Sequence, residues 1–151
     1  MIRMSNFSQA AELVIKSEME GVYHHEPILE LGATPQYLVD HAGFKPLDLV
    51  VTAKVISKAC FDHGIATSVI KRLPDIINTP KSLFHSRHIE GSAVVVVTFE
   101  LHKQVLPIIV PLHPEKRMGR RNCNVVASMY AKEGPDPEVK WSSEGLKIWE
   151  A

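Results

Sequence analysis

The sequence predicts an α+β fold in which N-terminal helices pack on an antiparallel β-sheet of about four strands. Helical apolar periodicity is concentrated in residues 1–80, whereas β-branched runs are concentrated in residues 81–151. The strongest strand pattern covers residues 91–114, where "LHKQ" separates two apolar runs, as expected of a hairpin. The chain has 151 residues, the usual size of one domain. We therefore expect a single domain over residues 1–151, mainly helical first and mainly sheet afterwards.

Three helices are predicted in the first half, each between a polar capping residue and a glycine. They cover residues 5–21, 34–43 and 52–64. Their apolar residues recur at the i, i+3, i+4 spacing of one buried stripe. A further stretch, residues 68–84, is apolar but contains Pro74. It predicts one or two short helical turns that are split at this proline.

Other strand candidates are shorter than the hairpin. They cover residues 27–31, 47–51, 124–131 and 145–149. Two polar stretches, residues 113–122 and 133–138, are predicted to be loops, the first of them basic and the second rich in turn residues.

The composition excludes several classes of function. Seventeen basic and seventeen acidic residues give a formal charge of zero, which removes the argument for nucleic-acid binding from a basic whole domain. The sequence contains neither a glycine-rich phosphate loop nor a "GxSxG" motif. The apolar runs are too short to span a bilayer, and the first ten residues lack the apolar core of a signal peptide. We expect a cytoplasmic protein that does not associate with membranes.

Metal-ligand patterns are also missing. Cys60 and Cys123 have no partner motif, so they indicate neither a disulfide framework nor a zinc site. The closest histidine pairs are residues 24 and 25 and residues 85 and 88, and neither pair has an acidic or cysteine partner at a ligand spacing. We interpret them as solvated loop histidines and expect no metal and no cofactor.

The third predicted helix carries residues that suit either structure or chemistry. His63 lies in its last turn and, by helical angle, on its apolar face, while Lys54 and Lys58 lie on the opposite face. The partial negative charge at a helix end favours the imidazolium form, and a histidine is suited to proton transfer. The alternative is a structural histidine that bonds a backbone carbonyl. The two lysines suit either a phosphate or solvent.

A basic cluster precedes the predicted strand at residues 124–131. Arg120 and Arg121 belong to it, and arginine side chains match phosphate oxygens with two hydrogen bonds. By strand alternation, Asn124, Val126, Ser128 and Tyr130 share one face, and Val125, Ala127, Met129 and Ala131 share the other. The second, apolar set is predicted to face the helices. The first set is either the solvent face of a sheet or the floor of a site.

The order of the segments carries a resemblance. "ELGATPQYLVDHAGF", "LDLVVTAKVISKACFDHG", "LPDIINTPKSLF", "VVVVTF", "VLPIIVPL", "NCNVVASMY" and "EGLKIW" follow one another along nearly the whole chain after the first helix. This order resembles phage and mobile-element domains related to the C-terminal part of MuF head proteins. Those domains are grouped with the barnase, EndoU, colicin and RelE-like nucleases.

The resemblance implies a metal-independent endoribonuclease or toxin-like effector that cleaves RNA to a 2′,3′-cyclic phosphate. The implied partners are RNA and a protein inhibitor or host target protein. The expected catalytic residues are His63, Lys54, Ser128 and Tyr130, and the expected substrate-binding residues are Arg120, Arg121, Asn124 and His85. His63 would transfer the proton, and His85 is a second candidate for the base. Because His63 and Lys54 point to opposite sides of a straight helix, they are competitors for one site.

The neutral charge favours a different class of function. A non-catalytic protein-binding module on the same fold, such as a phage-derived inhibitor, needs neither basic charge nor a catalytic motif. A transferase that acts on a nucleotide is a third, weaker hypothesis.

Overall fold

The computed structural model describes residues 6–23, 25–86 and 93–151. The α-helices are α1 (Asn6–Met19), α2 (Gln36–Ala42), α3 (Ala53–Ser57), α4 (Thr67–Ile70), α5 (Leu73–Asn78) and α6 (Pro137–Ser143), and a π-helical turn (Lys58–Asp62) extends α3. The strands are β1 (Ile28–Ala33), β2 (Asp48–Thr52), β3 (Ser82–His85), β4 (Val94–His102), β5 (Leu106–Met118), β6 (Arg121–Val126), β7 (Tyr130–Ala131) and β8 (Lys147–Glu150). Within these residues, no helix is long and apolar enough to cross a membrane. His24, His88 and the predicted cap Ser5 lie outside them.

The α+β class is confirmed, but the prediction of about four antiparallel strands is wrong. In the described residues, eight strands form one mixed sheet of order β1-β2-β6-β5-β4-β3-β8, with β7 paired to β5. The β2–β6 pair is parallel, and the other pairs are antiparallel. The strand candidates at residues 27–31 and 47–51 became β1 and β2 and joined the C-terminal strands. Alternation and composition reveal that a strand exists, but they do not reveal which distant strand it pairs with.

The basic stretch at residues 113–122 is not a loop. It forms the outer half of the β5–β6 hairpin, with the pairs Lys116–Cys123, Arg117–Asn122 and Met118–Arg121. A β-bulge between His113 and Lys116 interrupts the register, and Glu115 adopts a φ of 48° there. A strand is recognised in a sequence by side chains that alternate between its two faces. The bulge interrupts this alternation, so the charged stretch has the pattern of a loop.

Two shorter elements were also missed. The end of the stretch predicted as helical turns is strand β3, which lies between β4 and β8 in the sheet. Helix α6 follows the turn-rich stretch at residues 133–138. Asp136 caps this helix by accepting a hydrogen bond from the Glu138 N–H at 2.9 Å, and Pro137 occupies the first turn.

The predicted helices are present, with local differences. Thr52 caps α3 by accepting a hydrogen bond from the Val55 N–H, as the sequence indicated. Thr34 does not cap α2, because its hydroxyl donates to the Leu47 carbonyl at 2.5 Å. Gly43 ends α2 in the left-handed conformation, with a φ of 72°. The stretch around Pro74 divides into α4 and α5, with the proline in the first turn of α5.

The sheet buries apolar side chains on both faces. Val94 and Val96 face the layer formed by α1 to α5, and Val95 packs with Trp141 of α6 on the opposite face. This two-sided burial explains the uninterrupted apolar run in β4. A smaller cluster of Val50, Cys123 and Val125 lies apart from the helical layer.

The predicted alternation along residues 124–131 fails after Val126. The Ala127 N–H donates to the Pro111 carbonyl, but Tyr130 pairs with Ile109, so this side of the ladder contains one extra residue. An extra residue reverses the facing of every side chain beyond it. As a result, Val126 and Met129 both join the helical side of the core, whereas Val125 does not.

Candidate functional site

His63 and Tyr130 are in contact where α3 and its π-helical turn end beside β7. Their ring centroids are 5.8 Å apart, and the ring planes are inclined by 47°. Tyr130 is half-buried, and burial raises the pKa of its phenol. The phenol is therefore protonated at neutral pH and available as a hydrogen-bond donor.

The π-helical turn determines where His63 lies. The His63 N–H donates to the Lys58 carbonyl at 2.9 Å, a bond across five residues instead of the usual four. The wider turn rotates the following side chain away from the apolar face that a straight α-helix predicts, and His63 is exposed. Gly64 then turns the chain with a φ of 67°.

A second histidine lies beside this turn. The Cε1 atom of His102 is 3.9 Å from the position that a Cβ atom would occupy on Gly64. His102 ends β4, and the turn into β5 at Lys103 and Gln104 has left-handed φ angles of 52° and 63°. Sequence analysis assigned no role to His102, because only the pairing of β4 with β5 brings it close to the helix end.

Ser128 lies in the irregular segment between β6 and β7. Its side chain is half-buried, and no hydroxyl hydrogen bond joins it to the described part of the chain. Tyr130 follows two residues later. The segment therefore carries a hydroxyl without a partner in the described residues and, two positions later, a phenol in contact with His63.

The two arginines are not close to His63. Arg121 forms ion pairs with Glu30 of β1 and, at 3.1 Å, with Asp48 of β2. It begins β6, five residues before Val126, so about 17 Å of strand separate it from the end of β6 that leads to Tyr130. Arg120 is an exposed residue of the turn between β5 and β6.

Asn124 is occupied inside the fold. It is fully buried, and its Nδ2 donates to the Thr34 hydroxyl at 2.8 Å and to the Lys45 carbonyl at 2.9 Å. Its Oδ1 accepts a hydrogen bond from the Glu115 N–H at 3.1 Å. These three bonds join the start of α2, the loop that follows it and the bulge of β5.

His85 also lies apart from His63. It is an exposed residue at the end of β3, paired with Val94. In the sheet, β4 and β5 lie between β3 and β7. Three interstrand steps correspond to about 14 Å.

Lys54 borders a separate polar cavity. The cavity lies between the C-terminal turn of α1 and the exposed side of α3, and Lys58 and Phe61 line it with Lys54. His63 is not among the residues that line this cavity. Glu18, His25 and Ser57 also line the cavity. Sequence analysis did not connect them, because their proximity depends on the packing of α1 against α3.

Comparison with known proteins gives one match. No curated protein and no solved structure matches the chain. A family model described as the phage MuF C-terminal domain matches residues 54–150, which include α3, His63 and every strand from β3 to β8. The chain belongs to the phage MuF C-terminal domain family.

Proposed function

We propose that this phage domain is a metal-independent endoribonuclease whose site includes His63, His102 and Tyr130. The observation that carries the proposal is the contact of His63 with the protonated phenol of Tyr130, with His102 beside Gly64, the residue that follows His63. Cleavage of RNA by attack of the 2′-hydroxyl requires one group that accepts a proton and one that donates it. Histidine serves both purposes near neutral pH.

In the proposed mechanism, His63 removes the proton from a ribose 2′-hydroxyl. The 2′-oxygen forms a bond to the neighbouring phosphorus, and the bond from phosphorus to the 5′-oxygen breaks. His102 in its protonated form donates a proton to the leaving 5′-oxygen. The products are a 2′,3′-cyclic phosphate and a new 5′-hydroxyl, and the two histidines have exchanged protonation states.

Charge that develops on the phosphate requires fixed donors around it. Tyr130 and Ser128 supply a phenol and a hydroxyl in this proposal. Lys103 follows His102 in the exposed turn and supplies a cation. Arg120, Arg121, Asn124 and His85 are left out, because they lie elsewhere or are engaged within the fold.

The proposal is tested by incubating purified protein with total RNA in a chelator and analysing the fragment ends. We expect fragments with 2′,3′-cyclic phosphates, and a loss of cleavage of about 100-fold or more in His63→Gln and in His102→Gln. His85→Gln is the matched control and should retain full activity. RNA that stays intact, or equal activity in all three variants, would refute the proposal.

A second candidate function is capture of another protein. An apolar cavity of about 430 Å³ lies between α1 and β1, lined by residues including Phe7, Leu13 and Ile28. Leu13 is 64% exposed, and β1 lies at an edge of the sheet. An exposed strand edge beside apolar residues is suited to a partner that adds a strand.

The binding module is tested with affinity capture from bacterial lysate. We expect one stoichiometric partner that the Leu13→Asp variant loses and the Val139→Asp variant keeps, since Val139 is equally exposed but lies on α6. Equal capture by both variants would exclude this groove as the binding surface.

A further inference from the structure

The polar cavity beside Lys54 has two orphaned polar atoms in its lining. The Ser57 side chain is 4% exposed, and its hydroxyl makes no hydrogen bond in the described residues. The Oε2 atom of Glu18 is also buried without a partner there, although its Oε1 lies 3.2 Å from the Nε2 of His25. Both residues line the cavity. Buried polar groups without partners are uncommon, because they have given up their hydrogen bonds to water.

The two orphaned atoms call for different partners. A carboxylate oxygen only accepts hydrogen bonds, so Oε2 of Glu18 requires a donor such as a hydroxyl group. The Ser57 hydroxyl donates as well as accepts. A ligand that satisfies both atoms must therefore carry at least one donor, and a hydroxyl group, which donates to Glu18 and either donates to or accepts from Ser57, fits both.

The charged side chains around the cavity also restrict the charge of the ligand. Lys54 and Lys58 line it one helical turn apart, and neither has an ion-pair partner in the part of the chain that the structure describes. Two ammonium groups at this spacing suit a phosphate. Glu18 and Asp62 in the same lining repel an anion. A phosphate attached to a polyol, whose neutral hydroxyls can lie beside these carboxylates, is therefore a better match than phosphate alone.

The volume of the cavity and the exposure of Phe61 restrict the ligand further. The cavity measures about 170 Å³. Pockets for drug-sized ligands measure roughly 300–1,000 Å³, so this cavity accepts a small polar group and not a large molecule. Phe61 belongs to the lining and is 45% exposed, which leaves a ring face for stacking against a flat group outside the cavity.

We propose that the cavity binds the phosphorylated ribose of a nucleotide. The phosphate contacts Lys54 and Lys58, a ribose hydroxyl donates to Oε2 of Glu18, and the Ser57 hydroxyl contacts the same sugar phosphate. The base stacks on Phe61. Among common ligands, a ribonucleotide combines an anion and donating hydroxyls of a size that suits the cavity with a flat ring that remains outside it.

The cavity and His63 share one helix. Phe61 and Asp62 border the cavity, and His63 is the next residue. If RNA is the substrate, the cavity holds a nucleotide adjacent to the one that is cleaved. This role in RNA binding rests on the proposed function, whereas binding of a mononucleotide does not.

The experiment is a titration followed by amide NMR, with AMP, 2′-deoxy-AMP, adenosine and inorganic phosphate as separate probes. AMP should shift the amides of residues 54–58 and of Glu18. Lys58→Gln and Ser57→Ala should each weaken AMP at least fivefold, and 2′-deoxy-AMP should bind several-fold more weakly than AMP. Adenosine and inorganic phosphate should bind much more weakly than AMP, because each supplies only part of the ligand.

The matched control is Lys16→Gln, which removes an exposed lysine of α1 outside the cavity. It should leave AMP binding unchanged, and the same spectra report whether each variant is folded. Shifts confined to other residues, equal weakening by Lys16→Gln and Lys58→Gln, or phosphate that binds as tightly as AMP would overturn the inference. AMP binding without RNA cleavage would refute the nuclease and leave the cavity assignment intact, and cleavage without AMP binding would do the reverse.

Discussion

The two ends of residues 121–130 place polar side chains in opposite situations. At the first end, Arg121 pairs with two carboxylates, and the Asn124 amide makes three hydrogen bonds inside the fold. At the second end, the Ser128 hydroxyl has no hydrogen bond to the described residues, and the half-buried ring of Tyr130 contacts the ring of His63. In the sequence, these polar residues look equivalent.

The difference separates polar residues that stabilise the fold from those that are available to a ligand. A buried amide whose donors and acceptor are satisfied by the protein has nothing left for a substrate. The partly exposed Ser128 hydroxyl, which has no partner in the described residues, can still bind one. The number of unfilled hydrogen-bond positions is therefore a better guide to function here than the residue type.

Asn124→Ala should have the largest effect, and it acts on stability. The substitution removes one hydrogen bond each from the Glu115 N–H, the Thr34 hydroxyl and the Lys45 carbonyl, and the last two keep a bond to Leu47. Buried groups that lose partners cost about 1–3 kcal/mol each, and we expect a total loss of about 3 kcal/mol in the free energy of unfolding. Urea denaturation measures this loss. The exposed neighbour Asn122 is the control, and an equal loss in Asn122→Ala would contradict the assignment.

Ser128→Ala should reduce RNA cleavage and leave the stability of the fold nearly unchanged. The free energy of unfolding should stay within about 0.5 kcal/mol, because no described hydrogen bond is removed. Cleavage of RNA should fall about tenfold, which corresponds to ~1.4 kcal/mol of transition-state stabilisation. Cleavage rates and urea denaturation on the same preparation provide the comparison. A destabilised protein with full activity would assign Ser128 to the fold instead.

Arg121→Gln tests whether Arg121 contributes to stability or to RNA cleavage. Its partners Glu30 and Asp48 are exposed, so the ion pairs are screened by solvent and salt. We expect a small drop in Tm at low salt that disappears in high salt, with unchanged RNA cleavage. Arg120→Gln should leave Tm unchanged. A marked loss of cleavage in Arg121→Gln at unchanged Tm would return this arginine to the active site.

His113 should give the smallest effect, a change of stability with pH. Burial and then the charge of Lys116 lower the pKa of His113 from its ordinary value of 6.5. A lowered pKa means that the fold favours the neutral ring, so this contribution is full above pH 6.5 and declines as the pH falls below it. Urea denaturation at pH 8 and pH 5.5 should show a smaller difference for His113→Gln than for the natural protein. An unchanged difference would remove His113 from the pH response.

Much of the local structure is predictable from the sequence. The capping of α3 by Thr52, the turn at Gly43 and the hairpin at residues 93–112 follow from residue types and their periodicity. The candidate site was predictable only in part, because His63 and Tyr130 were named but His102 was not. The sequence also did not reveal that Arg121 and Tyr130 lie apart, since the six residues of β6 separate them.

The sequence by itself determined where helices and strands begin and which residues carry chemistry, because these depend on neighbours within a few positions. The tertiary structure decided the mixed sheet, the reversal of facing before Tyr130, the contact of His63 with Tyr130 and the position of His102 beside Gly64. Each depends on one inserted residue or on a pairing between distant segments, and neither leaves a periodic signal in the chain. The π-helical turn is the most local feature of this kind. One wider turn places His63 in an exposed position beside Tyr130, and not on the apolar face that a straight helix predicts.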